Sequence, residues 1–99
     1  MIAMDSNDFM NKIEMIEGQI MEEVDGSREY RSCSEKWATK DTAISNQYLA
    51  MSKQELEHAS KLNGILLDMH SKTEMTDDQK AVIKFLVDLN SRQIRKATA

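Results

Sequence analysis

Apolar side chains recur every three or four residues along most of this chain, which is the spacing of one face of an α-helix. In the two longest stretches the apolar positions are Phe9, Ile13, Ile16 and Ile20, and then Ile44, Tyr48, Met51, Leu62, Ile65 and Met69. A third stretch has a broader stripe formed by Val82, Ile83, Phe85, Leu86, Leu89 and Ile94. The pattern predicts helices over residues 8–37, 42–71 and 76–96, preceded by a flexible leader over residues 1–7.

Two short polar segments separate the predicted helices. Residues 38–41 interrupt the first pattern, and Asp41 is suited to cap the N-terminus of the helix that follows. Residues 76–79 have the form of a capping box, with acidic residues in the first helical turn. A short connection makes two long helices antiparallel neighbours. We therefore expect an all-α single domain over residues 1–99, a long antiparallel helical hairpin followed by a shorter third helix.

The composition agrees with this fold and narrows the classes of function. The 99 residues include no Pro and only 3 Gly, which favours helices. A formal net charge of −4 argues against nucleic acid or an anionic membrane as the main partner. The single cysteine, Cys33, excludes an internal disulfide and a cysteine-only metal cluster. Because the sequence shows neither a membrane span nor a secretion signal, we expect a cytoplasmic protein.

Ionisable residues occupy positions where the helical pattern asks for apolar ones. Counting on from Met51, the next inward positions of the second helix are Glu55 and His58. The first helix places Glu23 in its seam in the same way. An isolated charge in an apolar seam is costly, so such a group needs a partner, a shifted pKa or a metal ion. A Glu and a His three residues apart on one helix face can bind the same ion.

The predicted hairpin brings these three residues to one level. Glu23 lies sixteen residues before Thr39 in the turn, and Glu55 lies sixteen residues after it. At a rise of about 1.5 Å per residue, both lie roughly 24 Å from the turn. The sequence therefore predicts a metal site formed by Glu23, Glu55 and His58. Its oxygen and nitrogen ligands suit iron, manganese or zinc.

A second interpretation of the same residues stays open. A layer of Glu and His can fix the register and pairing of helices without binding a metal. The chain would then be a non-enzymatic helical assembly or adaptor module, whose methionine-rich faces bind a partner. Other ionisable residues have simpler explanations. Glu57 faces solvent, Glu22 lies beside the seam, His70 lies near a helix end, and Cys33 has no neighbour that would activate its thiol.

A Glu with a Tyr seven residues later, followed by Glu-x-x-His on the next helix, resembles the ferritin-like di-iron superfamily. The matching residues here are Glu23, Tyr30, Glu55 and His58. The resemblance implies iron as the cofactor, with Glu23, Glu55 and His58 as metal ligands and manganese or zinc as alternatives. It also implies ferroxidase or peroxide-consuming oxidoreductase chemistry, with Tyr30 as the candidate catalytic residue.

The motif occurs once in this chain, whereas full-length ferritins and rubrerythrins carry it twice. The chain is therefore most similar to the half-length, two-helix encapsulated ferritins, in which two subunits complete one four-helix di-iron site. Because two ions need about twice the ligands of one chain, we expect a homodimer or a larger ring of dimers, with two iron ions per subunit pair. A rubredoxin-type cysteine set that could donate electrons is missing. Residues 95–99 show no apolar encapsulation peptide, which argues against an encapsulin shell as a partner.

Overall fold

The computed structural model describes residues 6–72 and 74–98, and within these ranges every regular element is an α-helix. The helices are α1 over Ser6–Trp37, α2 over Thr42–His70 and α3 over Asp77–Thr98. Each bound lies within two residues of the predicted one. Ser6 and Asn7, which the sequence assigns to the leader, belong to α1. The rest of the predicted leader lies outside the described residues.

A tight turn joins α1 to α2 and reverses the chain. The backbone N–H groups of Lys40 and Asp41 both donate to the carbonyl oxygen of Trp37, at 2.9 Å each. The Asp41 carboxylate in turn accepts hydrogen bonds from the N–H groups of Ala43 and Ile44, at 3.0 and 3.2 Å. These N–H groups at the start of α2 have no acceptor inside the helix. Asp41 is therefore the N-cap that the sequence predicts.

Two buried pairs of serines hold α1 against α2. The hydroxyl oxygens lie 3.0 Å apart in the Ser34–Ser45 pair and 2.9 Å apart in the Ser27–Ser52 pair. Ser45 Oγ also donates to the carbonyl oxygen of Ser34 at 2.7 Å, and Ser52 Oγ donates to that of Ser27 at 2.8 Å. A serine is small enough for the two backbones to approach closely, and each hydroxyl finds a partner on the other helix. The pairs therefore determine the register of the hairpin.

The apolar core runs along the hairpin and beneath α3. Its buried members are Phe9, Ile13, Ile20, Val24, Leu56, Ala59, Leu66, Met75, Ile83 and Ala97. α1 continues through Gly18 and Gly26, and neither glycine has a positive φ. Within the described ranges, no helix combines the length and the apolar character needed to cross a bilayer.

α3 is joined to the hairpin by a buried polar network. Thr76 and Gln79 form the predicted capping box at its start, with reciprocal bonds of 3.0 and 3.1 Å between backbone N–H groups and side chains. Further along α3, Asn90 Nδ2 donates to Asn63 Oδ1 of α2 at 3.1 Å and to the Glu17 carboxylate of α1. Asn90 is only 2% exposed. One amide therefore links all three helices, and its buried hydrogen-bonding groups have partners within the chain.

The buried face of α2 is rotated from the predicted seam by about one residue. Its buried residues are Ser45, Ser52, Leu56, Ala59, Asn63 and Leu66. Met51 and Ile65, which the sequence predicts to point inward, are 38% and 47% exposed. The prediction was wrong here because α2 contacts α1 on one side and α3 on the other, so its most buried line lies between these two neighbours. The predicted seam is the edge of the α1–α2 contact that faces away from α3.

The apolar stripe of α3 is also narrower than predicted. Its buried residues are Ile83, Asn90 and Ala97. Val82 and Phe85, which the sequence predicts to belong to this stripe, are 41% and 67% exposed. α3 rests in the groove between α1 and α2 and buries only the side that faces this groove, so an apolar residue on its flank stays in solvent.

Candidate metal centre

The hairpin brings the three predicted ligands together, one from α1 and two from α2. One potential ligand atom from each of Glu23, Glu55 and His58 lies within 4.8 Å of the other two. The Ser27–Ser52 pair sets this level, because it lies about one helical turn from both carboxylates. The cleft beside Glu23 and His58 is lined by residues of α1 and α2 and by none of α3. We call this side of the hairpin, with Glu23, Glu55 and His58 at its centre, the open face.

The Glu23 carboxylate is close to both of the other candidate ligands. Its Oε2 atom is 3.5 Å from Nδ1 of His58. The same oxygen is buried and accepts no hydrogen bond within the described part of the chain, so the contact with His58 is close without being a hydrogen bond. A buried carboxylate oxygen without a donor is costly. A cation bound at this position would supply the missing interaction.

Glu55 faces Glu23 across the contact between α1 and α2. The Glu23 carboxylate beside Glu55 raises the pKa of Glu55 above its ordinary value, because a protonated Glu55 can donate a hydrogen bond to it. Burial and repulsion from the Glu23 charge raise this pKa further, while His58 lowers it. Without a cation, Glu55 therefore keeps its proton more readily than an isolated glutamate does. A metal ion would displace that proton and turn the repulsion between the carboxylates into shared attraction.

A cleft opens the ligand group to solvent. It has a volume of about 370 Å³ and is lined by Gln19, Glu22, Glu23, His58, Lys61 and Leu62. The His58 side chain is 56% exposed and the Glu23 side chain is 25% exposed. An ion can therefore reach Glu23 and His58 without any opening of the helix pair. Glu22, which the sequence places beside the seam, stands at the edge of this cleft.

The donor set fits a first-row transition metal. Two carboxylates and one imidazole are the ligand types that iron, manganese and zinc share. The orphaned oxygen of Glu23 marks a position where a cation is favoured. Such ions take about four to six ligands, so three donors from one chain leave part of the coordination sphere to solvent or to another chain.

Two tyrosines lie side by side between the hairpin's helices. The rings of Tyr30 and Tyr48 are stacked, with centroids 6.3 Å apart and an angle of 29° between their planes. Tyr48 precedes Glu55 by seven residues, just as Tyr30 follows Glu23 by seven. The sequence interpretation gave Tyr48 a place in the apolar seam and no role at the site. The equal spacing of seven residues in both helices is the sequence signal that could have paired Tyr48 with Tyr30.

The remaining candidate residues lie outside the ligand group. Glu57 is exposed, as predicted, and His70 is the last residue of α2. Cys33 is a partly buried free thiol. The sequence interpretation also missed how close Gly26 comes to Glu55, because no pattern of residue types reveals an approach between a backbone and a side chain on another helix.

Comparison with known protein families adds to this geometry. The family model described as Rubrerythrin matches residues 14–96, a range that contains all three clustered ligands. Comparisons with curated proteins and with solved structures found no match.

Proposed function

Because this chain belongs to the Rubrerythrin family, within the ferritin-like di-iron superfamily, we propose that Glu23, Glu55 and His58 form half of a di-iron centre. Domains of the rubrerythrin type bind iron. The observation that carries the proposal is that donors from two helices lie within 4.8 Å of one another, beside a buried carboxylate oxygen without a hydrogen bond.

Each residue has a distinct part in this proposal. Glu23 and Glu55 would hold an ion through their carboxylate oxygens, and His58 would hold it through a ring nitrogen. Tyr30 lies on the same side of the hairpin and acts as the redox or supporting residue of the centre. Bound iron supplies one-electron redox chemistry toward oxygen or peroxide. The protein holds the ions in a cleft that solvent and small oxidants can reach.

A second copy of the chain completes the centre in our proposal. One chain offers two carboxylates and one imidazole, which is about half of the ligand set in four-helix di-metal bundles. Exposed apolar side chains lie about two helical turns from this group, toward the end of the hairpin far from its turn. Among them are Met15 and Ile65, which are 67% and 47% exposed and line one cleft. Two-fold pairing would bring a second ligand set to the same level and cover these side chains. The resulting dimer would be a ferritin-like four-helix bundle formed by α1 and α2 of both chains, with each α3 on the outside.

Metal content and assembly test this proposal together. The chain is purified without chelator, and metal per chain is counted before and after titration with ferrous ion or Zn²⁺. We expect one ion per chain and a dimer, or a ring of dimers, that metal tightens through mass action. Sedimentation with and without the ion reports the assembly. A chain that holds two ions as a monomer at tens of micromolar would refute the shared site.

Oxidation of ferrous iron tests the chemistry separately from binding. We expect aerobic formation of ferric iron to be faster with the parent chain than with the Glu23→Ala variant. Equal rates would limit the chain to binding iron, or to a role without iron.

The alternative is a non-enzymatic assembly or adaptor module, in which the Glu and His layer only fixes register. Two observations weigh against it. The Ser27–Ser52 and Ser34–Ser45 pairs already hold the register through satisfied hydrogen bonds. A layer that only fixed register would also gain nothing from leaving Glu23 Oε2 buried without a partner. A chain that binds no metal under any of the conditions above would favour the alternative.

A further inference from the structure

Gly26 lies in α1 one turn after Glu23, and its missing side chain leaves space that Glu55 occupies. A Cβ atom built on Gly26 would lie 2.9 Å from Glu55 Oε2, 3.5 Å from its Cδ and 3.8 Å from its Cγ. The first distance is shorter than carbon and oxygen tolerate without a bond. The Glu55 carboxylate therefore lies directly against the α1 backbone at a place that only glycine keeps free.

The two other glycines of the chain provide a comparison. A Cβ atom on Gly18, in the same helix, or on Gly64, in α2, would meet no atom within 4 Å. None of the three has a positive φ, so backbone conformation does not require glycine at any of them. Glycine is a poor residue for a helix interior. Only at Gly26 does the surrounding structure supply a steric reason for it.

We propose that Gly26 is a positioning residue that sets where the Glu55 carboxylate stands relative to Glu23 and His58. This inference rests on the function proposed above, since the position of Glu55 matters only if the three residues share an ion. The colliding atom in a Gly26→Ala variant is the far end of a flexible side chain. The variant would therefore keep its helix pair and displace the carboxylate from the ligand group.

This role gives a test with opposite expectations for stability and for metal binding. The Gly26→Ala variant is compared with the matched Gly18→Ala variant of the same helix. Both should fold, and the melting temperature of the metal-free chain should stay equal or rise, because alanine favours the helix. Only Gly26→Ala should bind Zn²⁺ and Co²⁺ more weakly, by about tenfold or more, as is usual when a ligand loses its orientation. Its Co²⁺ visible spectrum should also differ from that of the parent.

A double-mutant cycle makes the test independent of any loss in folding. The Glu55→Asp variant carries a carboxylate one methylene shorter, so its oxygens reach less far toward residue 26 than those of Glu55 do. Adding Gly26→Ala in this background should change Zn²⁺ affinity far less than it does in the parent. Additive effects would overturn the role of Gly26.

The outcomes separate this inference from the proposed function. A parent chain that binds Zn²⁺ and Co²⁺, together with a Gly26→Ala variant that binds them equally well, overturns the positioning role alone. A parent chain that binds neither ion overturns the proposed function, and the role of Gly26 with it.

Discussion

The two sides of the α1–α2 hairpin treat their polar groups in opposite ways. On the side covered by α3, Asn63, Asn90 and Glu17 are buried or partly buried and bonded to one another. On the open face, Glu23 and Glu55 repel each other, and one carboxylate oxygen is buried without a donor. The first arrangement is complete within the chain and needs nothing more. The second leaves a buried oxygen without a donor, which is what the proposed cation would supply.

The largest effect that tests this contrast should come from removing a ligand on the open face. Glu55→Ala or His58→Ala should lower the affinity for ferrous ion or Zn²⁺ by more than about 100-fold, because the loss of a supporting residue alone costs about 10–100-fold. Isothermal titration provides the measurement. Glu57→Ala, an exposed carboxylate on the same helix, is the control and should bind as the parent does. Unchanged affinity in both Glu55→Ala and His58→Ala would show that the ion binds at another place in the chain.

The next effect concerns the covered side and should appear in stability. Asn90→Ala removes the donor to Asn63 Oδ1 and to the Glu17 carboxylate, so the free energy of unfolding should fall by about 1–3 kcal/mol. Urea denaturation of the metal-free chain measures it. Asn46→Ala, an exposed amide on α2, should change stability by less than about 0.5 kcal/mol. An Asn90→Ala variant that kept its stability but lost metal binding would contradict the structural role of the side covered by α3.

The smallest effect is the pH dependence of the metal-free chain. Because the folded state raises the pKa of Glu55, it binds the proton more tightly than the unfolded state does. This contribution to stability is complete below the unfolded pKa and is lost as pH rises through the folded pKa. Glu55→Gln removes the titrating group, so the parent should lose stability relative to the variant between acid and neutral pH. The difference should stay below about 1 kcal/mol, since these carboxylates are partly exposed. Thermal unfolding across this pH range would show it, and parallel curves would contradict it.

The sequence predicts well those parts of the fold that depend on local chemistry. The turn and the start of α3 follow from Asp41 and from the capping box of Thr76 and Gln79, which act on backbone groups within a few residues. Counting residues on either side of the α1–α2 turn predicts that Glu23 and Glu55 lie at the same distance from it and therefore face each other. These predictions needed no knowledge of how the third helix packs.

Features that depend on contacts between distant residues could not be predicted in the same way. The apolar pattern gives Ser27 and Ser52 no role, although each supplies the other's hydrogen bond across 25 positions. The exposure of Phe85 follows from where α3 rests on the hairpin, which residue type does not reveal. The approach of Glu55 to Gly26 likewise depends on one rotamer on the opposite helix.

The serine pairs also bear on how the hairpin forms in time. The Ser34–Ser45 contact closes the shorter loop of the two, so it loses less chain entropy and is the natural first bridge between the helices. The Ser27–Ser52 contact follows, and the mutually repelling carboxylates meet only beyond it. An ion would therefore find its ligands after the hairpin has closed. A bound ion should therefore slow unfolding and leave the folding rate nearly unchanged. The supply of iron would then affect how long the folded chain lasts, and have little effect on how fast it forms.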